Sequence, residues 1–590
     1  MTDPGELSDL FETLCHILTD IMSDTTIPHA GGTVSTQSRP RTEATTRTPP
    51  HDTPSPNRWK ALGVLAGSVS LIVIDGTIVN VALPTMMTSL PLTYTEAQWV
   101  TTLYNLIFAA LLITTGDLGD RWGRRTTLTI GLALFTAGSV MAGLAGGAVT
   151  LIVARAVQGL GGAFVLPSTL STVNATFRGR ERASAFGVWG ATISGAAAVG
   201  PLLGGWLTTS FSWRWVFGIN LPIAALLAVG TRMWVPQTRG EEAARRGFDG
   251  GGLALSAIGM GGVVLGLIEG RSLGWWAPLA SGWAHAWPVS PAGLGLVLGG
   301  VTLVAFVVLE LRRLAAGAEV LLDMSLFRLP SFAWGNVAAL VVAMGEFGLL
   351  FVLPLYLQNV RGLSPIGAGW VLAAMALGAF TSGGGAGPFA RATTPAIVAT
   401  TGLVLETAGV ALLAVLIQAD GGLWRVVVPL VVYGVGLGMA SAQLTGTVLV
   451  DVPTERSGQG SATQSTVRQL GSALGVAVIA TVLASSVASA ASGSLASTGI
   501  PERAAAGIEA ALAPSAGSVI DAVRSGQGEA AAIPASARPE VAEVLGADFT
   551  RGSRTPLWVG TAFLALGVLA TTRLPRRRWV SAAQDGDAAA

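Results

Sequence analysis

Long apolar stretches recur along the chain and are separated by short polar segments. A stretch of about 20 apolar residues is long enough to cross a bilayer as a helix, and windows of that length fall at fourteen places. The pattern predicts an all-α protein with fourteen membrane-spanning helices. The predicted spans lie near 61–84, 98–117, 127–147, 150–173, 184–207, 216–233, 251–269, 293–311, 332–357, 366–387, 396–417, 426–449, 466–487 and 556–573.

Composition supports the same class. Hydrophobic residues make up 51% of the 590 residues and charged residues only 12%, whereas a soluble domain carries roughly 25% charged residues. The mean hydropathy is +0.60, and the 77 glycines suit helices that pack closely in lipid. We therefore expect an integral membrane protein in contact with the lipid bilayer.

Several functional classes are excluded or disfavoured by residues that are absent. Lys60 is the only lysine, so the chain has no Walker A loop, which needs a lysine on the phosphates. The arginines form no groove or stripe, so no nucleic-acid partner is expected. No metal-ligand set or Ser–His arrangement lies within the spans, so we expect no metal, no cofactor and no enzymatic activity. A histidine proton relay is excluded because the histidines lie outside the spans, at positions 16, 29, 51 and 285.

The distribution of arginine predicts how the chain is oriented. If the N-terminus is cytoplasmic, nineteen arginines fall in cytoplasmic segments and four in the short outer loops. Cytoplasmic loops carry the excess of basic residues in membrane proteins. The sequence therefore predicts a multi-pass protein of the cell (inner) membrane with both termini in the cytoplasm.

An internal repeat divides the chain. Trp99-Val100 and Trp370-Val371 open spans 271 positions apart, and Gly116 and Gly387 close them at the same offset. Two six-helix halves related in this way, with a site near the midplane, describe a large class of transporters. We expect a disordered cytoplasmic tail over 1–58, a six-helix bundle over 59–235, an inserted helix pair over 236–315, a second six-helix bundle over 316–575 with a long, partly disordered external loop over about 488–555, and a cytoplasmic tail over 576–590.

Charged side chains inside the spans are the candidates for chemistry, because each is costly at membrane depth and is kept only where it has a partner or a cavity. Asp75 lies within the first span and Arg155 within the fourth. Glu346 and Glu406 lie near the middle of later spans and are candidates for binding a proton or a cationic substrate. Arg468 could pair with a carboxylate. Two further carboxylates, Glu269 and Glu310, lie at helix ends and are expected to be interfacial.

The segment that joins the second and third spans reads Gly116-Asp-Leu-Gly-Asp-Arg-Trp-Gly-Arg-Arg125. Its glycines allow a tight turn, and its carboxylate can lie at a helix N-terminus, where the helix dipole favours negative charge. The segment resembles motif A of the major facilitator superfamily, in which this loop latches the two halves together. The resemblance implies a conformational latch formed by Gly116, Asp120, Arg121, Gly123 and Arg124.

Three more segments resemble motifs of the fourteen-span drug:proton antiporter branch of that superfamily. Residues 74–84 are similar to motif D1, and residues 155–163 to motif B. The resemblance implies a proton-coupling or substrate pathway that includes Asp75, Asn80, Arg155 and Gln158. Residues 200–205 resemble the antiporter motif C, with Gly200, Pro201, Gly204 and Gly205 in the matching positions.

The function expected from these features is efflux of drugs or other small amphipathic molecules in exchange for protons, by a monomeric secondary transporter. One alternative keeps the fold but exports an endogenous metabolite or an antibiotic made by the cell. Another is a membrane sensor that does not transport, against which the intact D1 and B motifs argue, since a sensor need not keep charges inside the membrane.

Overall fold

The computed structural model describes residues 57–575, apart from 91, 93, 178, 240–248, 280–286, 319, 454–455, 499, 514 and 528–532. Within this part the chain is helical and contains no strand. Thirteen of the described helices are long and apolar enough to cross a membrane, and the long helix Gly179–Ser210 is not among those thirteen. The fourteen long helices are α1 Arg58–Ser89, α2 Tyr94–Trp122, α3 Arg124–Gly143, α4 Ala148–Thr176, α5 Gly179–Ser210, α6 Asn220–Trp234, α7 Gly250–Leu273, α8 Pro291–Ala315, α9 Pro330–Leu355, α10 Pro365–Ala392, α11 Pro395–Leu416, α12 Trp424–Val448, α13 Ser457–Ala491 and α14 Arg538–Thr571.

Helix starts in the second part of the chain follow from local sequence. Four long helices begin at a proline, which lacks the N–H that a first helical turn would leave unpaired. Three of these are preceded by Ser290, Ser364 or Thr394, whose side-chain oxygen accepts a hydrogen bond from a backbone amide of the first turn. These signals fix the starts of α8, α10 and α11 to the residue.

The helices form two groups of six, α1–α6 and α9–α14, with matching contacts. In the first group α3 packs against α4, α2 against α4, and α1 against α5. The second group repeats these contacts with α11 against α12, α10 against α12, and α9 against α13. The two groups meet where α5 lies against α10 and α12, and where α13 lies against α2 and α4. This is the predicted arrangement of two six-helix bundles.

Glycines make the same close approaches in both groups. A side chain at Gly159 of α4 would come within 2.6 Å of the carbonyl oxygen of Tyr104 in α2. A side chain at Gly434 of α12 would clash with the carbonyl oxygen of Met375 in α10, 271 positions after Tyr104. Small residues allow helix backbones to approach closely in lipid, so the repeat seen in the sequence is also a repeat of contacts.

The inserted pair, α7 and α8, packs along its length through glycines that include Gly262 and Gly299. Helix α7 also contacts α2 and α13, which belong to different groups. Helix α8 exposes more than half the surface of Val297, Leu298, Val301 and Val304. An apolar face left exposed in this way suits contact with lipid.

The segment between α13 and α14 corrects one expectation. We expected the loop over about 488–555 to be partly disordered, yet its described residues include helices Glu502–Leu512 and Val519–Ser525, and α14 begins at Arg538. Ile508 and Ile520 are buried in the same apolar cluster as Phe549 of α14. Part of this segment therefore packs as helices against α14. The expected terminal tails lie almost wholly outside the described residues.

Candidate functional site

A buried polar cluster surrounds Asp75 in the first bundle. Asp75 lies within α1 and has no exposed surface. Its Oδ2 accepts a hydrogen bond from Nη1 of Arg155 in α4 at 2.5 Å. Its Oδ1 accepts bonds from Nε2 of Gln158 at 3.0 Å and from Nδ2 of Asn220 at 2.8 Å. Asp75, Arg155 and Gln158, which were all predicted site residues, are thus in contact with one another.

Arg155 is held by more than its partner carboxylate. Its guanidinium donates through Nε to the carbonyl oxygen of Val100 at 3.1 Å and through Nη1 to Oε1 of Gln158 at 2.9 Å. It also lies over the ring of Tyr104, 4.0 Å from the ring centre. A cation against an aromatic face in a desolvated site is stabilised by about 2 kcal/mol. Arg155 therefore retains several favourable contacts besides the ion pair.

Three uncharged members of this cluster were not predicted from the sequence. Asn220 is the first residue of α6, Ser139 lies in α3, and Tyr104 lies in α2. Ser139 Oγ accepts hydrogen bonds from Gln158 at 2.9 Å and from Asn220 at 3.2 Å. An isolated Ser or Asn within an apolar helix gives little signal in a single sequence, because only the fold aims it at the carboxylate.

A second buried polar cluster lies in the other bundle. Arg468 of α13 donates through Nη2 to Oε2 of Glu346 in α9 at 3.1 Å, which is the kind of pairing expected for this arginine. Glu406 of α11 and Tyr433 of α12 are buried and lie within electrostatic range of that pair. Each bundle thus has a carboxylate on its first helix paired with an arginine, and the second has an additional carboxyl group nearby.

The motif A segment joins the two bundles at one end of the molecule. Asp120, buried at the end of α2, accepts hydrogen bonds on Oδ1 from Nη2 of Arg124 at 2.8 Å and from its Nε at 3.2 Å. Its Oδ2 accepts the backbone N–H of Gln459, in the first turn of α13, at 3.3 Å. A carboxylate at a helix N-terminus compensates free amides and the positive end of the helix dipole. Asp120 thus bridges α2 to a helix of the second bundle.

Glycines make this bridge possible. Gly123 has φ +97° and turns the chain between α2 and α3 in a single residue, a backbone conformation that other residues rarely adopt. A side chain at Gly116 would come within 2.8 Å of the carbonyl oxygen of Gly458. A side chain at Gly458 itself would clash with the Asp120 carboxylate. Arg121 pairs with Asp117, one helical turn earlier, at 2.5 Å.

These features decide the family when they are set beside known proteins. A family model described as Major Facilitator Superfamily matches residues 65–476. The chain belongs to the major facilitator superfamily.

Curated relatives from actinobacteria extend this result. A probable actinorhodin transporter of Streptomyces coelicolor is 34% identical over 455 residues, which are 75% of this chain and 75% of that protein. The multidrug efflux pump LfrA of Mycolicibacterium smegmatis is 33% identical over 75% of this chain and 82% of the pump. A tetracenomycin C resistance and export protein of Streptomyces glaucescens is 31% identical over 73% of this chain and 76% of that protein.

The fold also matches solved members of the superfamily. The human organic anion transporter MFSD10 superposes with a TM-score of 0.54 at 12% identity, over 88% of this chain and 99% of that one. At that identity the likeness concerns the fold alone. It supports the superfamily fold for this chain.

The motif C segment of this superfamily member lies where α5 crosses α1. A side chain at Gly200 would clash with Thr77, and one at Gly204 would come within 3.0 Å of the carbonyl oxygen of Ile78. Gly205 instead faces Ile366 of α10, in the second bundle. The motif therefore serves close packing within one bundle and between the two. The side chains of Pro201 and Asn80 lie outside the described part of the structure.

Two carboxylates differ from expectation. Glu269 and Glu310 were expected to be interfacial. Glu269 exposes only 5% of its surface, and Glu310 exposes none. Glu269 accepts a hydrogen bond from the Thr102 hydroxyl at 3.1 Å, and Glu310 accepts the backbone N–H of Leu322 at 3.0 Å. Their position near helix ends suggested exposure. Packing of α7 against α2 covers Glu269, and the segment after α8 that contains Leu322 covers Glu310.

Proposed function

We propose that this protein is a secondary active transporter that exports small amphipathic molecules across the cell membrane in exchange for protons. The observation that carries the proposal is the buried Asp75 carboxylate, which is held by Arg155, Gln158 and Asn220. A carboxylate inside the membrane is costly, and this one has a charge partner that can be released. Relatives named as efflux and export proteins support the outward direction.

The cluster suggests how a proton is handled. When Asp75 takes up a proton, its attraction to Arg155 falls, and Arg155 keeps its contacts with Gln158, the Val100 carbonyl and the Tyr104 ring. The Asp75 carboxylate and the Arg155 guanidinium neutralise each other only while they are in contact. A change in the distance between α1 and α4 would therefore load or release the proton.

The latch supplies the second requirement, which is that access alternates between the two sides. The Asp120 contact with α13 joins the bundles at one end, and the arginine distribution predicts that this end is cytoplasmic. We infer that this contact holds the cytoplasmic side closed and breaks when the bundles rock. In this proposal both termini are cytoplasmic, the transporter acts as a monomer, and the cargo is not chemically altered.

A second cargo class has specific support. Two of the relatives are named for the transport or export of actinorhodin and tetracenomycin C. This chain could likewise export a compound made by its own cell. A deletion strain would then retain that compound inside the cell, whereas a drug exporter would alter only the resistance profile.

The test of proton coupling uses the purified full-length chain in proteoliposomes. A proton gradient directed opposite to substrate movement is expected to drive accumulation of a fluorescent drug such as ethidium. Asp75→Asn should abolish gradient-driven accumulation, because the residue keeps its shape and loses its titration. Asp521→Asn, the same change at an exposed position, should transport normally. Unaltered transport by Asp75→Asn would contradict the proposal.

A further inference from the structure

The inserted pair lies beside the two helices that the latch joins. Helix α7 packs against α2 and against α13. The latch connects the same two helices, since Asp120 at the end of α2 meets the backbone of Gln459 in the first turn of α13. Because the pair lies outside the repeat of the two bundles, the repeat itself assigns it no task. Its contacts place it next to the contact that closes one side of the transporter.

The linker that follows α8, residues 320–329, reaches the same place. Leu322 is buried in one apolar cluster with Ile113 of α2 and Phe306 of α8. The backbone N–H of Leu322 donates to Oε2 of Glu310, near the end of α8, at 3.0 Å. Glu310 has no exposed surface, so this bond is shielded from water. The linker is thus fixed to the inserted pair and packed against the first bundle.

The next residue of the linker, Asp323, contacts the second bundle. Its Oδ1 accepts the backbone N–H of Ser325 at 2.8 Å, which caps a short helical turn and fixes the direction of the carboxylate. Its Oδ2 forms an ion pair with Nη1 of Arg456, the residue directly before α13. Its backbone N–H donates to Oε1 of Gln459 at 3.4 Å. Asp323 is therefore joined to the start of α13 by both its side chain and its backbone.

Gln459 is shared between the linker and the latch. Its side chain accepts a hydrogen bond from Asp323, and its backbone N–H donates to Oδ2 of Asp120 at 3.3 Å. A hydrogen bond of that length is easily lost when the donor moves or turns. A side chain at Gly458 would already clash with the Asp120 carboxylate, so the turn has little freedom in the opposite direction. The latch therefore depends on accurate placement of the first turn of α13.

We propose that the inserted pair and the linker form a brace for the latch, in which Asp323 is the positioning residue that aligns the first turn of α13 with Asp120. The brace keeps this turn in place through Arg456 before the helix and Gln459 within it. The inserted pair thereby takes part in the change of access although it lies outside both bundles. This inference rests on the latch of the proposed function and adds the residues that support it.

The brace acts through order that exists before the bundles meet. Arg456 lies in the short connection between α12 and α13, and its side chain is 29% exposed. The side chain of Asp323 is 3% exposed and is held by its own turn. The buried carboxylate thus anchors the more exposed guanidinium. Because a turn that is already ordered loses less conformational entropy when the Asp120 contact forms, the closed state is more stable with the brace than without it.

The experiment measures how often the cytoplasmic side opens. The full-length Cys15→Ser protein with Ser171→Cys, in nanodiscs, is treated with a water-soluble maleimide. Ser171 is 1% exposed and lies against the start of α13, so the reagent reaches it when the bundles separate. Asp323→Asn keeps the shape of the linker turn but removes the charge that holds Arg456. It should accelerate alkylation about twofold to fivefold, the range for an ion pair with one partly exposed partner.

Partner variants show whether the charge contact is responsible. Arg456→Gln should accelerate alkylation as Asp323→Asn does. The two changes together should be no faster than either alone, because the same contact is lost only once. Arg456→Lys keeps the charge and should react as the wild type does. Arg328→Gln, which changes an exposed arginine of the linker, is the matched control and should also react as the wild type does. Equal acceleration by Arg456→Lys and Arg456→Gln would overturn the role of the ion pair.

The share of the inserted pair is tested at Glu310. Glu310→Met removes the acceptor of the Leu322 N–H at similar volume and should accelerate alkylation about twofold, as expected for loss of one hydrogen bond. Glu310→Gln retains an oxygen that can accept this N–H and should react as the wild type does. Wild-type reactivity of Glu310→Met would overturn the part assigned to the inserted pair.

Coupling to the latch decides the positioning role. Asp120→Asn alone should accelerate alkylation about fivefold, and Asp323→Asn added to it should change little, because an aligned turn has no effect without its Asp120 partner. Effects that multiply would show that Asp323 acts elsewhere and would overturn the inference. Wild-type reactivity of Asp323→Asn beside an accelerated Asp120→Asn would overturn the brace and leave the latch, whereas wild-type reactivity of both would overturn both. The assay uses neither substrate nor a proton gradient, so it is independent of coupling at Asp75.

Discussion

The two bundles place a carboxylate at the same position of their first helix but surround it differently. Asp75 is matched by one arginine and two amide side chains, and its hydrogen bonds engage both oxygens. Glu346 shares its arginine with a second carboxyl group, Glu406, which has no hydrogen-bond partner in the described chain. One fold repeat has thus produced one balanced site and one that lacks a positive charge.

This difference suggests a division of tasks. A balanced, fully bonded site can change its proton occupancy through a small movement between two helices while it remains closed to other ligands. In the second site two carboxyl groups share one arginine, so Glu406 is left without a hydrogen-bond partner among the described residues. The contrast shows that, in this protein, the two repeats share the position of a buried carboxylate but not the residues that surround it.

The largest expected effect concerns the balanced site. Arg155→Met leaves Asp75 buried without its cation, which should lower the free energy of unfolding by about 3–5 kcal/mol. Thermal unfolding of the detergent-solubilised protein measures the change. The double variant Asp75→Asn with Arg155→Met should recover most of the loss, because neither charge then remains. A double variant as unstable as Arg155→Met would show that loss of the ion pair does not cause the instability.

The next effect tests whether the bundles are equivalent in their packing. Gly434→Ala and Gly159→Ala each push a methyl group into a carbonyl of the neighbouring helix, and overpacking of this kind costs about 1–3 kcal/mol. The matched control is Gly300→Ala, because a methyl group there meets nothing within 4 Å. Similar losses of thermal stability at both repeat positions, with none at the control, are expected. A loss of thermal stability at only one of the two positions would contradict the equivalent packing of the bundles.

A smaller effect is expected at the contact between the bundles. Asp120→Asn removes the charge that faces the first turn of α13, worth about 1 kcal/mol, or roughly a fivefold change in the closed population. Disulfide formation between Ser171→Cys and Ser457→Cys, in a Cys15→Ser background, reports closure, because Ser457 Oγ lies 3.5 Å from the Ser171 carbonyl oxygen. Asp521→Asn, the same change at an exposed position, is the control. Equal rates for all variants would argue against a latch.

The smallest expected effect is a change in stability whose direction differs between the two sites. Glu406→Met replaces a carboxyl group that has no hydrogen-bond partner among the described residues. The apolar side chain has a similar volume and should leave stability unchanged or raise it by up to about 1 kcal/mol. Asp75→Met, the same kind of change in the balanced site, should be destabilising because it abandons Arg155. Thermal midpoints in one detergent provide the comparison. A marked loss of stability in Glu406→Met would mean that Glu406 is well satisfied after all.

Much of the fold follows from the sequence. Apolar runs located fourteen helices, and prolines preceded by Ser or Thr explain where three of them begin. The same reasoning failed between α13 and α14, where short helical segments bury Ile508 and Ile520 against α14. Long-range packing of this kind has no local signature in an Ala-rich segment.

The candidate site was only partly predictable. Asp75, Arg155 and the two glutamates were predicted because a charged side chain inside an apolar helix is costly and is kept only where it has a function or a partner. The sequence did not predict the part played by Ser139, Tyr104 and Asn220. Uncharged polar residues are common in membrane helices, and their role depends on which face of the helix the fold turns inward. The bridge from Asp120 to the amide of Gln459 was also hidden, since the two residues are 339 positions apart.

The most direct test of the account is proton movement driven by substrate alone. Proteoliposomes with a trapped pH-sensitive dye and no imposed gradient would receive ethidium on one side. We expect wild-type protein to move protons in the opposite direction as the drug enters, and Asp75→Asn to give no proton signal above that of protein-free liposomes. Drug movement without a proton signal in the wild type, or an equal signal in Asp75→Asn, would contradict the assignment of Asp75 as the coupling group.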